Sequence, residues 1–216
     1  MKSYKKKPAV PFHSFWLEEE QYEPLTKAAY AGNFGFLFDL SDSSALLPSF
    51  DKPDCLYSEL SFIVGYKEFN ERTKTRGSFK DYITGLGKLI WKFNVPVYFI
   101  GHKKALQSLK PDRIIQIKAD LPVETFAGYL AIWRDDEINV TSRTETLLYM
   151  NEKYHLVYDP CCGYLSIARL MPNCKFIFSD VNPKCIGGAL ATLKELNDEK
   201  TNPIDQTTHR AVSYLY

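Results

Sequence analysis

The stretch that most limits the possible folds runs from Leu156 to Leu196. Leu156-Val157-Tyr158 is a short apolar run that stops at Asp159-Pro160-Cys161-Cys162-Gly163, where an acid, a proline and a glycine oppose continuation of a strand. Ser166 to Met171 then reads as a short helix and Lys175 to Ser179 as a second strand, again ending in an acid, Asp180. Asn182-Pro183 opens an amphipathic helix from Lys184 to Leu196. Two strands joined through a helix lie parallel, and a parallel pair needs cover on both faces. In such sheets the carboxyl ends of the strands frame a ligand crevice, and both acids fall there.

The remainder of the chain repeats the alternation. A lead-in over residues 1–33 has a basic tip and, from Glu18-Glu19-Glu20 to Ala31, a short helix. Phe34 to Phe38 reads as a buried strand, Ser43 to Leu47 as a helical turn stopped by Pro48, and Cys55 to Tyr57 as a second strand. Residues 66–78 read as an exposed loop. From Phe79 to Phe93 the apolar positions Tyr82, Ile83, Leu86, Leu89, Ile90 and Phe93 recur at helical spacing behind Ser78, an N-cap residue. Strands follow at Val95–Ile100, Ile114–Ile117 and Ala127–Trp133, with a helix at 143–153. The expected architecture is one α/β domain over 34–200, a doubly wound, mostly parallel sheet whose last residues, from Asn197, are loosely held and lead into a polar tail over 201–216.

Charge and cysteine usage narrow the partners. With 27 basic and 26 acidic side chains, the formal net charge of +1 gives no whole-molecule attraction to nucleic acid. Binding to DNA would need a local patch, and Lys5-Lys6-Lys7 and Arg72, Lys74, Arg76 and Lys80 are the candidates. Five cysteines without framework spacing fit reduced thiols in a cytoplasmic protein, and Cys161 and Cys162, being adjacent, cannot easily chelate one zinc, so no metal is expected. No apolar run is long enough to span a membrane, and no apolar segment follows the basic N-terminus as in a secretory signal. Ser166 lacks a plausible His/Asp partner set, and no Gly-x-x-x-x-Gly-Lys loop occurs. His102, after Gly101, stands at a strand end.

Asp159-Pro160-Cys161-Cys162-Gly163, with Asp180-Val181-Asn182-Pro183 one helix and one strand later, resembles the cofactor half of S-adenosylmethionine-dependent methyltransferases that act on amino groups of nucleic-acid bases. The resemblance implies that Asp159, Pro160, Cys161 and Gly163 cradle the methionine end of S-adenosylmethionine, with Asp159 orienting its amino group. Asp180 would accept from the ribose hydroxyls, and Asn182 opens the following helix. Upstream, the strand ending near Ser41-Asp42 is similar to the family's adenine-pocket strand, so Asp42, with Asp39 as fallback, would lie beside the cofactor adenine. Glu59-Leu60-Ser61-Phe62 then falls where the family carries its catalytic Asp-Pro-Pro-aromatic segment. There an acceptor holds the hydrogens of the target amine and an aromatic ring stacks on the flipped base, so Glu59, Ser61 and Phe62 take the catalytic positions by resemblance.

Two departures accompany the match: Glu59 replaces aspartate without the prolines, and Gly163-Tyr164-Leu165 stands where the family has Gly-x-Gly. The catalytic half precedes the cofactor half, as in the circularly permuted class of DNA adenine-N6 methyltransferases. Segment Gly65–Asn70 would be the loop over the target base, and Arg72, Lys74 and Arg76 would contact phosphates. With no insert for a separate recognition domain, target choice would fall to loops near 66–78 and 101–112 or to a partner subunit in a homo- or hetero-oligomer. Two other readings stay open: an inactive methyltransferase scaffold serving as a partner subunit or DNA-binding module, and a small-molecule methyltransferase.

Overall fold

The computed structural model describes residues 27–60, 77–120 and 125–201. Eight strands form one sheet: β1 (Lys27–Tyr30), β2 (Asn33–Leu37), β3 (Cys55–Glu59), β4 (Val97–Gly101), β5 (Arg113–Asp120), β6 (Thr125–Trp133), β7 (Leu156–Asp159) and β8 (Lys175–Asp180). The helices are α1 (Phe79–Phe93), α2 (Lys103–Ser108), α3 (Arg143–Lys153) and α4 (Pro183–Thr201), with a 3-10 turn at Ser166–Arg169. The strand order is β1-β2-β8-β7-β3-β4-β6-β5. The five strands from β2 to β4 run parallel, and antiparallel pairs lie at both margins. This is the doubly wound α/β architecture expected from the alternation, and the last two of the described strands, β7 and β8, occupy its middle.

Side chains alternate across the sheet and feed two apolar layers. On one face Tyr57, Ile100, Val157 and Phe178 pack with Leu147 and Met150 of α3 and Ile186 and Ala189 of α4. On the other, Leu56, Val97, Phe99 and Tyr158 pack with Leu86, Leu89 and Ile90 of α1 and Leu106 of α2. The α1 N-terminus forms as its sequence predicts. Ser78 accepts from the Asp81 backbone N–H, and the Asp81 carboxylate accepts in return from the Ser78 N–H at 2.8 Å, a reciprocal capping box. Gly85 lets α1 approach so closely that a Cβ there would collide with the Leu40 carbonyl oxygen.

Four local expectations are corrected. Residues 27–30 form strand rather than helix, turned into β2 by Ala31 and Gly32, whose φ values of 48° and 80° match a two-residue hairpin turn. No helix forms at 43–47. The Asp39 and Asp42 carboxylates capture the Ser41 and Ser44 backbone N–H groups at 2.9 and 2.8 Å, giving successive side-chain-closed turns. The stretch after Gly101, which reads as loop in the sequence, contains α2, with His102 at its N-cap. Helix α4 continues beyond Leu196 to Thr201, in place of a loose tail from Asn197. Among the described residues no helix is long and apolar enough to cross a membrane, no His/Cys/Asp/Glu group could hold a metal ion, and all five cysteines are free thiols.

Candidate functional site

From β3 the chain proceeds outward to β4, and from β7 it proceeds in the opposite direction to β8. Neighbours β3 and β7 therefore mark the point where the winding reverses, and the loops leaving their carboxyl ends separate. The parallel register deepens the opening. Leu56 pairs with Tyr158 and Asp159 pairs with Phe178, so Glu59 of β3 and Asp180 of β8 both extend two residues beyond Asp159. At about 3.3 Å per residue, Asp159 is recessed by about 7 Å between them. On the far side of β8 the main chain passes Asp180 at Phe38, whose N–H donates to the Asp180 carbonyl at 3.0 Å. Asp39 follows directly along this edge. Asp42 lies three residues on, in the turn closed by its N–H to the Asp39 carbonyl at 3.1 Å.

Asp159 is 3% exposed. Its Oδ1 accepts from Ser58 Oγ at 2.9 Å and from the Cys161 N–H at 3.1 Å. Oδ2 takes no hydrogen bond among the described residues. Within that set Arg113 Nε is the sealed side-chain polar atom lacking a partner, so Oδ2 of Asp159 keeps access to the recess. Burial raises the carboxyl pKa to about 8, the two hydrogen bonds oppose the rise, and the negative charges of Glu59 and Asp180 add to it. Ser58 and Asp159 are far apart in sequence, and their bond ties the Glu59 strand to the turn after β7.

That turn carries the second departure, and the structure shows how it is accommodated. Gly163 has φ +50°, and a Cβ built on it would meet nothing within 4 Å, so open space lies against its backbone. Leu165, at the place of the second glycine, also takes the left-handed conformation, φ +55°, with its side chain 1% exposed in the core. Tyr164 between them lays its ring against Gly188 of α4, where any Cβ would collide with it. Asp180 fixes the turn from below: Oδ2 accepts from the Gly163 N–H at 3.1 Å and Oδ1 from the Asn182 N–H at 2.9 Å. Asn182 Oδ1 in turn accepts from the Lys184 N–H at 3.0 Å at the start of α4. Pro160 offers its carbonyl to Ser179 Oγ at 3.2 Å. Burial pushes up the Asp180 carboxyl and the thiols of Cys161, Cys162 and Cys185. The thiols are therefore protonated and poor nucleophiles. His155, at the amino end of β7, is a strand's length from Cys161.

Glu59 closes the opposite wall. Its Oε1 accepts from Tyr57 Oη at 2.7 Å and from Arg143 Nε at 2.7 Å. Arg143, the first residue of α3, has a side chain only 8% exposed. Oε2 of Glu59 takes no hydrogen bond among the described residues. Sequence reasoning does not single out Tyr57, Ser58 or Arg143. Ser58 and Arg143 find their partners 101 and 84 residues away, and Tyr57 bonds Glu59 two residues on along its own strand, so no local motif announces them. The structure thus brings Asp159, Pro160, Cys161, Gly163, Asp180, Asn182 and Glu59 to one edge, with Asp42 in the adjoining turn. Ser61, Phe62, the segment Gly65–Asn70 and Arg72, Lys74 and Arg76 lie outside the described residues.

Fold and recess define a doubly wound α/β protein with an acid-lined crevice at its switch point. No protein-family profile and no curated protein sequence matches the chain. Among solved structures it is similar to the crystal structure of M1.HpyAVI, with 10% identity and a TM-score of 0.40, covering 66% of this chain and 88% of that one. It is likewise similar to the crystal structure of the M1.HpyAVI-SAM complex, with 11% identity, a TM-score of 0.42 and coverage of 65% and 87%. The class of this chain rests on its own strand order and crevice residues rather than on these similarities.

Proposed function

We propose that the crevice binds S-adenosylmethionine and that the protein methylates an exocyclic amino group of a nucleic-acid base, adenine N6 in DNA. One observation carries the reading. Glu59 and Asp180 flank a recessed Asp159 at the reversal of winding, beside a glycine whose missing Cβ leaves open space. The residues suit the group. Asp159 Oδ2 is available to an amino group, Gly163 permits close approach, and Asp180, which already accepts from the backbone of Gly163, Asn182 and Val181 and from the Cys185 thiol, stands at the strand end where ribose hydroxyls would lie. Asp39 and Asp42 adjoin the edge where the adenine would lie. The order of the halves, with the Glu59 strand first and β7 and β8 last yet central, supports the circularly permuted class.

When bound, S-adenosylmethionine supplies an electrophilic methyl group on a sulfonium. The chain's part is positioning. Tyr57 and Arg143 grip one oxygen of Glu59 and leave Oε2 without a partner among the described residues, the oxygen that would accept a hydrogen of the target amine and steer the nitrogen lone pair. Ser61 and Phe62 follow within three residues of β3, with Phe62 the candidate to stack on the base. Arg72, Lys74 and Arg76 are the candidate phosphate contacts. The protein would work in the cytoplasm, alone or with a second subunit.

A second reading, an inactive scaffold that supports a partner subunit or occupies DNA, is favoured by the Arg143–Glu59 ion pair, which weakens Glu59 as an acceptor. Calorimetry with S-adenosylmethionine, together with transfer of a labelled methyl group to DNA, separates them. The enzyme reading expects micromolar binding and transfer that Glu59→Gln reduces about a hundredfold or more. Binding without transfer, unaltered by that substitution, supports the scaffold. No binding at millimolar ligand overturns the cofactor assignment.

A further inference from the structure

The recess brings three carboxylates together, and its cation is unevenly placed. Arg143 reaches Glu59, whereas neither Asp159 nor Asp180 has a cationic side chain within hydrogen-bond reach among the described residues. The titratable groups facing Asp159 are Glu59 and Tyr57 from β3, Asp180 from β8, Tyr158 beside it on β7, Cys161 and Cys162 from its own turn, and Tyr82 from α1, which bonds Cys161 Sγ at 3.2 Å. Cys185 of α4 lies beyond, against Asp180. An uncompensated, 3% exposed carboxyl therefore has one oxygen fully engaged and the other opening onto the recess.

Resting on the cofactor reading above, we infer that Asp159 is a charge selector: it enters the complex as a neutral carboxylic acid and gives up its proton when a ligand brings an ammonium group against Oδ2. The Oδ2–H bond breaks and the proton passes to solvent. The ammonium keeps its three hydrogens and donates one to the new carboxylate. The incoming cation supplies the charge that the fold withholds, so an ionised Asp159 is stable in the complex and unfavourable without it. The carboxyl group, raised to about 8 by burial, is largely protonated at pH 7 before binding. A ligand with the same nucleoside but no amino-acid end leaves it so.

The test is calorimetry of the full chain with S-adenosylhomocysteine and with methylthioadenosine, which lacks the ammonium, at pH 6–9 in buffers of low and high ionisation enthalpy. S-adenosylhomocysteine is expected to release about one proton at pH 6–7, with affinity rising about tenfold per pH unit up to about pH 8. Methylthioadenosine is expected to bind with no buffer dependence. Asp159→Asn should abolish the release, and the two-ligand contrast in the unsubstituted chain stands even if that variant fails to fold. Binding of S-adenosylhomocysteine without proton exchange, or equal release by both ligands, overturns the charge selector and leaves the cofactor reading intact. Failure of both ligands to bind overturns the two together.

Discussion

Asp159→Asn, studied with no ligand present, tests whether burial governs this edge of the sheet. The substitution is nearly isosteric with the protonated acid and can still accept from Ser58 Oγ and the Cys161 N–H. In the unfolded chain the aspartate pKa is about 3.9, whereas in the folded chain burial holds it at about 8. The folded state therefore binds the proton more tightly. The stability that this confers is fully present below pH 4, is lost as pH rises, and is gone above pH 8. Between those limits the slope is about −1.4 kcal/mol per pH unit, so from pH 5 to 7 the loss is on the order of 3 kcal/mol. With a urea m-value of about 2–3 kcal/mol/M, the denaturation midpoint should fall by about 1 M over that range. The amide of the Asp159→Asn variant cannot ionise, so the variant's midpoint should lack this component, and subtracting the two curves removes every other titrating group. Parallel curves from pH 5 to 8 would refute the reasoning, because they would mean that Asp159 is ionised in both states.

Three further substitutions test the backbone. Gly85→Ala should destabilise by about 2 kcal/mol despite the better helix propensity of alanine, because its Cβ meets a main-chain carbonyl that cannot swing away, whereas Gly87→Ala in the same helix, with nothing within 4 Å, should stabilise by about 0.5–1 kcal/mol. Urea midpoints of the pair check both signs. Leu165→Gly relieves about 1 kcal/mol of left-handed strain but empties a buried leucine site worth more, so a net loss of about 2 kcal/mol is expected by thermal or urea unfolding. A gain in stability would show that the turn conformation costs more than the packing returns.

The elements legible in the sequence are those whose cause is local. Helix α1 carries its period, its Ser78–Asp81 box and its stop at Asn94, φ +51°, within a few residues. Strands β7 and β8 are bounded by Asp159-Pro160 and by Asp180. Helix α2 is not legible, because six residues burying only Ala105 and Leu106 make no periodic signal. At 43–47 the competition between aspartate side chains and helical hydrogen bonds is decided by Asp39 and Asp42, residues that serve turns as readily as caps. The two acids of the β7–β8 unit are legible because strand ends dictate the edge. Arg143 is not: its partner is 84 residues away, and only the packing of α3 on the sheet brings them into contact. The ring of Tyr164, bulky in the sequence, is harmless to the recess because Gly188 opposite it leaves room.

The placement of β7 and β8 between β2 and β3 also governs how the molecule is made. During synthesis the strands from β1 to β6 emerge first, yet β2 and β3 are not joined across the sheet until β7 and β8 arrive. Until then two apolar strand edges, one on Phe34–Leu37 and one on Cys55–Tyr57, stand open to any other extended chain. Completion is an insertion of the last-made strand pair into a waiting gap, a long-range step that is slow and exposed to aggregation. A ribosome-stalled chain ending near Lys153 should be held by chaperones or cleared, and release of the terminal segment should close the sheet and the ligand recess in the same event.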